Sequence, residues 1–417
     1  MAKTPKKSKS FYGRHKLAVN ILIALAVIVL LLILTNFISN AKKQAFQNSI
    51  GGFYDTSGFS ANGPLGEVVR AQPVGSTLQN GTAKRILYRT QKADGTYTFS
   101  SGLIYVPNKI LAGGAPLFVW AHGTIGLADQ CAPSRQETIG SAWVDAILQR
   151  GWPVVATDYA GFGTAGTQGY LIGGSEAHDV LNSVRAAHNL LGGQLGNQYA
   201  IWGHSQGGHS ALFSASTAGN YLPEYNLVGT AATAPAAQLE SLFQQQYKSS
   251  ASWVIGPYVT NTWPSYYPSL TLDGILTKQG LNNYKAQAGK CAVGAALDGI
   301  VREKFGQQFF NDSLLTNPSW QQAIAQQTAP VLSSKQPLFV GESLTDQVVL
   351  PNTTAQYIQR ACNSGSNLTS LWLTDVGHIQ LQTVIAPAVL NWVSDRFAGK
   401  STSPTCNQPL PLTPSTS

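Results

Sequence analysis

Two periodicities alternate along most of this chain, and a third pattern precedes them. Leu17 to Ile38 is an almost unbroken apolar run of 22 residues, interrupted only by Asn20, Thr35 and Asn36. At 1.5 Å per residue a helix of that length spans roughly 33 Å, enough to cross the hydrocarbon core of a bilayer. Residues 44–64, rich in Gly, Ser and Asn, read as a linker. Strand and helix patterns then alternate. Arg85–Thr90 and Thr96–Val106 predict a hairpin around the Asp94-Gly95 turn. Pro116–Ala121 (PLFVWA) and Trp152–Thr157 (WPVVAT) are continuous apolar runs, as strands buried on both faces require. Helical spacing over Glu137–Gln149 lies between them. An amphipathic helix follows over Ser175–Leu191, with Ser175 as the expected N-cap. A short strand Tyr199–Trp202, a helix Gly207–Ala218 and a strand from Asn226 to Ala231 continue the rhythm.

The rhythm breaks over residues 236–333, which lack apolar strand runs and are rich in Gln, Asn, Ser and aromatics; a mostly helical insertion is expected there. It resumes with the strand Pro337–Glu342, the helix Thr353–Cys362, the strand Leu371–Thr374 and the helix Leu381–Phe397. Such alternation predicts an α/β fold with a mostly parallel sheet flanked by helices, whose chemistry collects at the carboxyl ends of the strands.

Composition sharpens this in two ways. A hydrophobic content of 43% with 10% aromatics supports a large core and excludes disordered, collagen-like and coiled-coil classes. The net charge of +8 suggests a nucleic-acid partner until it is located. Lys3, Lys6, Lys7, Lys9, Arg14, Lys16, Lys42 and Lys43 account for all of it, so the remainder is neutral and no nucleic-acid partner is expected. Six of those cations precede the apolar run and two follow it, which places residues 1–16 in the cytoplasm and everything after Ala41 outside. The run exceeds the usual length of a signal-peptide core, so it reads as an uncleaved transmembrane anchor. Secretion after cleavage near Ala41, at Ser39-Asn40-Ala41, is the alternative. The expected organisation is a cytoplasmic segment 1–16, a transmembrane segment 17–38, and a linker and N-terminal arm 39–64. A catalytic domain 65–411 with insertion 236–333 and a tail 412–417 complete it. Cys131, Cys291, Cys362 and Cys406 all fall on the outer side, where two disulfides are expected in one of three pairings. No CxxC and no zinc-type Cys/His spacing occurs, so no metal site is expected.

The chemistry centres on Gly203-His204-Ser205-Gln206-Gly207, a GxSxG motif. With 41 glycines in the chain such a match arises by chance roughly 0.3 times, so its context carries the weight. An apolar strand enters it and a helix leaves it, as in a nucleophile elbow that lifts a serine Oγ above the sheet edge. Ser205 is the expected nucleophile. His378 is the one histidine after the last strand, in Thr374-Asp375-Val376-Gly377-His378, and is the expected base. Asp346, between them in chain order, is favoured as the orienting acid over Glu342 and Asp375. Oxyanion donors are expected from the backbone N–H of Gln206 and, across His122-Gly123-Thr124, that of Thr124. Trp253, Tyr258, Trp263, Tyr266 and Tyr267 either line an acyl pocket or form the insertion's own core.

These features, with Phe53-Tyr54, Gly58-Phe59, Asp129-Gln130-Cys131-Ala132-Pro133-Ser134 and Asp158-Tyr159-Ala160-Gly161-Phe162-Gly163, make the exported part similar to the secretory lipase family of α/β-hydrolases, the fungal lipase A enzymes and their actinobacterial relatives. The resemblance implies a helical cap over the site, coinciding with 236–333, and the disulfides Cys131–Cys291 and Cys362–Cys406. It also implies hydrolysis of acyl esters, often of lipids, without metal or cofactor. The fungal enzymes have an acidic residue in the oxyanion loop where this chain has His-Gly-Thr. An acyltransferase or a serine peptidase acting on cell-envelope substrates with the same triad is the alternative function.

Overall fold

A computed structural model describes residues 11–416, so residues 1–10 of the basic segment and Ser417 lie outside the described residues. The chain divides at Gly52/Phe53. On the N-terminal side, helix α1 (Phe11–Tyr54) contains a window of 18 residues with mean hydropathy 3.1, long and apolar enough to cross a membrane. It runs on through Ser39-Asn40-Ala41 and Lys42-Lys43. The expected Gly/Ser/Asn linker is therefore helical as far as Tyr54.

From Phe53 onward the strands are β1 (Val68–Ser76), β2 (Gly81–Gln91), β3 (Tyr97–Pro107), β4 (Ala115–Ala121) and β5 (Thr138–Ile139). Then come α2 (Ala142–Gln149), β6 (Val154–Thr157), α3 (Gly173–Leu191), β7 (Leu195–His204), α4 (Gln206–Tyr221) and β8 (Asn226–Thr233). Five helices occupy the next stretch: α5 (Leu239–Gln246), α6 (Ser252–Thr262), α7 (Lys278–Ala288), α8 (Ala292–Lys304) and α9 (Pro318–Gln326). The chain closes with β9 (Leu338–Ser343), α10 (Pro351–Asn363), β10 (Leu368–Leu373) and α11 (His378–Phe397).

One sheet of order β10-β9-β8-β7-β4-β6-β3-β2-β1-β5 results. Pairing is parallel from β10 to β6 and antiparallel from β6 through β1. The central strands bury both faces, and their side chains sort by the period of two. Leu117, Val119, Tyr199 and Ile201 pack with Val180, Val184 and Ala211 of α3 and α4. Phe118, Trp120, Ala200 and Trp202 face Ile147 of α2 and Val389 of α11. Each large side chain so buried contributes about 2–3 kcal/mol.

Three local expectations change. β1 adds a strand to the hairpin side, antiparallel to β2, where the sequence has too little alternation to announce it. The helix expected from Glu137 starts at Ala142, because Thr138–Ile139 pairs with the end of β1 and Ser141 Oγ then accepts the Val144 N–H as N-cap. Ser175 does not cap α3, which begins two residues earlier. Its hydroxyl accepts the Ala93 N–H, while the Gln327 amide oxygen accepts from Gly173 N and Glu176 reaches back to Leu171 N.

Candidate active site

β7 turns into α4 at Ser205, whose φ of 60° and ψ of −120° lie in a region that non-glycine residues rarely adopt. The turn is tight enough to dictate its neighbours. A Cβ on Gly203 would fall 1.9 Å from the Gly207 carbonyl oxygen, and one on Gly207 the same distance from that of Ala121. The Ser205 N–H donates to the Thr233 carbonyl at 2.9 Å, tying the elbow to β8. Its side chain is thereby set at the carboxyl edge of the sheet, beside the first turn of α4, where helix amides have no carbonyl partner of their own.

The loops after β9 and β10 bring the acid and the imidazole to this edge. Asp346 Oδ2 lies 2.6 Å from His378 Nδ1, and His378 Nε2 lies 2.9 Å from Ser205 Oγ. The other oxygen of Asp346 accepts the N–H groups of Val348 and Val349 at 2.7 and 3.0 Å. Both loops are held together at one point: Ser343 and Thr345 hydroxyls donate to the Val376 carbonyl at 2.6 and 3.2 Å. His378 is the first residue of α11, not a loop residue. The helix is longer than its apolar spacing announces, because Gly377 caps it in an extended conformation.

The two competing acids fall elsewhere. Glu342 is fully buried, with Ser343 N and Thr354 Oγ1 donating to its two oxygens at 2.7 and 2.6 Å. Burial, and then the nearby Asp346 carboxylate, push its carboxyl well above the ordinary range. Asp375 is an exposed turn residue with φ of 59°.

On the opposite side of Ser205, Gly123 brings the loop after β4 close: its Cβ would sit 3.3 Å from Ser205 Cβ and 3.0 Å from the His204 carbonyl. The Thr124 hydroxyl shares a 2.8 Å hydrogen bond with the Tyr170 hydroxyl, and Thr124 lines the same cleft as Ser205 and Gln206. Tyr159 OH donates to the His122 carbonyl at 3.1 Å, fixing the start of this loop. Sequence reasoning missed Glu176. It is buried in α3, accepts from the Gln206 side-chain amide and the Ser210 hydroxyl at 2.6 Å each, and so clamps the residue after Ser205. Its one sequence signal is an acid on the apolar face of an amphipathic helix.

The remaining described histidines have other partners. His209 Nε2 donates to the Gln327 carbonyl at 2.9 Å. His122 Nδ1 bonds the Gly123 carbonyl, and His178 and His188 stack on Tyr221 and Tyr225. His204 is buried with its ring 4.8 Å from that of His378, and burial holds its imidazole neutral, well below the usual range.

A narrow apolar cleft leads from Ser205 into the segment between β8 and β9, walled by Leu239, Leu242, Phe243, Ile255, Phe310 and Val349. Trp253, Tyr258 and Trp263 do not line it; they are fully buried and form the core of that segment. Tyr266 and Tyr267 border a different recess. Two disulfides, Cys131–Cys291 and Cys362–Cys406, tie α8 to the region after β4 and the C-terminal tail to α10.

The family model of secretory lipases matches residues 134–404, well over half of the chain. Among curated proteins, a secreted triacylglycerol lipase of Malassezia globosa is 25% identical over 370 residues, covering 82% of this chain and 80% of its own. Lipase A of Moesziomyces aphidis is 22% identical, covering 86% and 82%. A probable inactive lipase of Mycobacterium tuberculosis is 23% identical, covering 80% and 79%. Candida antarctica lipase A superposes with a TM-score of 0.70 at 18% identity, over 84% of this chain and 86% of its own. A point mutant of the rice cell wall degrading esterase LipA from Xanthomonas oryzae does so at 0.69 and 19%, over 80% and 100%. These likenesses give the α/β-hydrolase fold, and the disulfides fit the extracytoplasmic setting that a secretory family implies. The chain belongs to the secretory lipase family and is a carboxylic ester hydrolase.

Proposed function

We propose that Ser205, His378 and Asp346 form the catalytic triad of a serine esterase acting on esters with an apolar acyl chain. The observation that carries this reading is the continuous Asp346–His378–Ser205 hydrogen-bonded chain at the floor of an apolar cleft. His378 takes the Ser205 proton as Oγ adds to the ester carbonyl, and Asp346 holds the ring in the tautomer that leaves Nε2 free to accept. The oxyanion is met by the Gln206 N–H at the start of α4 and by the Thr124 N–H; each such donor is worth about 3 kcal/mol. His378 returns its proton to the departing alcohol, leaving an acyl-enzyme on Ser205. Water, deprotonated by the same imidazole, then releases the carboxylic acid and restores Ser205.

The segment 236–333 acts as a cap whose underside supplies the acyl cleft. Residues 65–411 form the catalytic domain around it, and 412–417 the tail. The N-terminal helix serves as an uncleaved anchor, with residues 1–16 in the cytoplasm, 17–38 in the bilayer and 39–64 as an arm to the exported domain. An apolar run longer than a signal-peptide core supports this over cleavage. An intact N-terminus on protein recovered from membranes is the expected result; a chain beginning after Ala41 would indicate secretion instead.

The enzymatic test is turnover of p-nitrophenyl esters from acetate to palmitate by the full chain in detergent, beside Ser205→Ala. Turnover that rises with acyl length and vanishes with the substitution is expected. Activity independent of Ser205 contradicts the proposal. Product formed mainly as a new ester when a competing alcohol is added would make the enzyme a transferase.

A further inference from the structure

Glu176 stands in the first turn of α3 with 1% of its surface exposed, and acids are almost never buried so fully unless paired. Core packing alone would accept an apolar side chain there. Its two oxygens instead collect donors from two separate elements. Oε1 accepts from the Gln206 side-chain amide at 2.6 Å and from the Leu171 N–H at 2.9 Å. Oε2 accepts from the Ser210 hydroxyl at 2.6 Å, with His209 Nδ1 3.5 Å away. Ser210 Oγ lies in turn 3.1 Å from the Gln206 carbonyl, so the side chain and the carbonyl of Gln206 are both tied to this one group.

The two donors on Oε1 come from different stretches of backbone. Gln206 follows Ser205 directly and opens α4. Leu171 precedes α3 with φ of 54°, a left-handed conformation that a leucine keeps only where its surroundings impose it. The residue before it, Tyr170, is buried. Its carbonyl accepts from the Trp263 indole N–H at 2.9 Å, and its hydroxyl shares the 2.8 Å bond with Thr124. A continuous path therefore runs from Gln206 through Glu176 Oε1 to Leu171 and Tyr170, and from there to Thr124. Gln206, Leu171, Tyr170 and Thr124 all border the cleft beside Ser205.

This path begins and ends on the two residues whose N–H groups are proposed above to meet the oxyanion. Such donors act together only when both lie about 2.7–3.1 Å from the one point the oxyanion will occupy. One rides on α4 and the other on the loop after β4, so their separation depends on what spans those two elements. We infer that Glu176 is the positioning residue of the oxyanion hole: by holding Gln206 and the Tyr170–Leu171 segment on one oxygen, it sets the spacing between the Gln206 and Thr124 N–H groups. It acts through those residues and not on the reacting atoms. The inference rests on the esterase reading.

The test compares the native full chain in detergent with Glu176→Met, which nearly keeps the volume and removes both accepting oxygens. For p-nitrophenyl butyrate, kcat should fall about 100-fold with KM within about twofold, because the hole serves the tetrahedral state and not the bound ester. A butyl trifluoromethyl ketone gives a readout that a general loosening of the core would not. Ser205 Oγ adds to its carbonyl carbon, the Ser205 proton passes to His378 and the carbonyl π pair to oxygen, so an oxyanion forms in the hole. The corresponding secondary alcohol binds without adding. Glu176→Met should weaken the ketone about 100-fold and the alcohol by less than about twofold. Equal weakening of both, or a kcat within about twofold of native, overturns the inference.

Gln206→Met, which keeps its own N–H, and Tyr170→Phe each cut one end of the path, and each should lower kcat about tenfold at unchanged KM. They decide the matter if Glu176→Met does not fold: native kcat in either one overturns the inference. A native chain that hydrolyses no ester, or whose turnover survives Ser205→Ala, contradicts the esterase reading and removes this inference with it. That failure is told apart because it shows in proteins that still carry Glu176.

Discussion

The elbow at Ser205 and the segment between β8 and β9 lie on either side of the same cleft, and they are built on opposite terms. At the elbow the backbone itself is the tight fit: Gly203 and Gly207 each stand where one added carbon would overlap a carbonyl oxygen. In the segment, large side chains set the geometry, with Trp253, Trp263 and Trp320 buried in its core and Leu239, Phe243 and Ile255 left to shape the wall. Backbone-limited geometry tolerates almost no substitution and fixes where chemistry happens. Side-chain-limited geometry tolerates exchange of volume and fixes what fits.

The widest separation between the two should come from Gly207→Ala. With its Cβ 1.9 Å from the Ala121 oxygen, the elbow cannot close, and a loss of about 4 kcal/mol or more in unfolding free energy is expected by denaturant titration. A variant with unaltered stability would mean the turn is looser than drawn. Ser205→Ala keeps the fold: kcat should fall by about 10⁵–10⁶ with the melting temperature unchanged. Asp346→Asn should cost about 10⁴ in kcat through the wrong His378 tautomer. Glu342→Gln, at a residue bonded to Ser343 and Thr354 rather than to His378, should cost far less, and equal losses from the two would return Glu342 to the role of orienting acid. On the other side of the cleft, Ile255→Trp should reduce kcat/KM for long-chain esters by about tenfold and leave acetate untouched. A uniform loss across chain lengths would show that this wall does not hold the acyl group.

Legibility in the sequence follows the same division. Ser205, Asp346 and His378 could be picked out because strand–turn–helix order constrains where such residues fall, and the strand runs around them are unambiguous. His378 still lies on a helix that apolar spacing alone starts three residues later. Glu176 was not visible, since its link to Gln206 joins two helices and depends on tertiary packing. Ser175, a good cap by composition, is used by Ala93 instead. The aromatic residues of the insertion could not be sorted into wall and core, because composition carries no direction.

A buried acid holds the turn after β6. Asp179 accepts from Ala160 N and Thr90 Oγ1 at 2.8 Å each, and burial raises its carboxyl from 3.8 to about 7. Between those values the folded chain keeps a proton that the unfolded chain has released. Asp179 therefore favours the folded state at low pH, and that contribution is lost as pH rises toward 7. His188, held down to about 4 by burial, acts in the opposite sense between about 4 and its ordinary 6.5. Asp179→Asn should flatten the decline of melting temperature from pH 4 to 7. An unchanged slope would show that Asp179 is ionised throughout.

The central claim is that Ser205 carries the acyl group. The direct measurement is peptide mapping by mass spectrometry of enzyme quenched during turnover of a slowly deacylating ester. One acyl group on the peptide containing Ser205, absent from Ser205→Ala, is the predicted result. Hydrolysis with no adduct, or an adduct on another residue, would contradict the account.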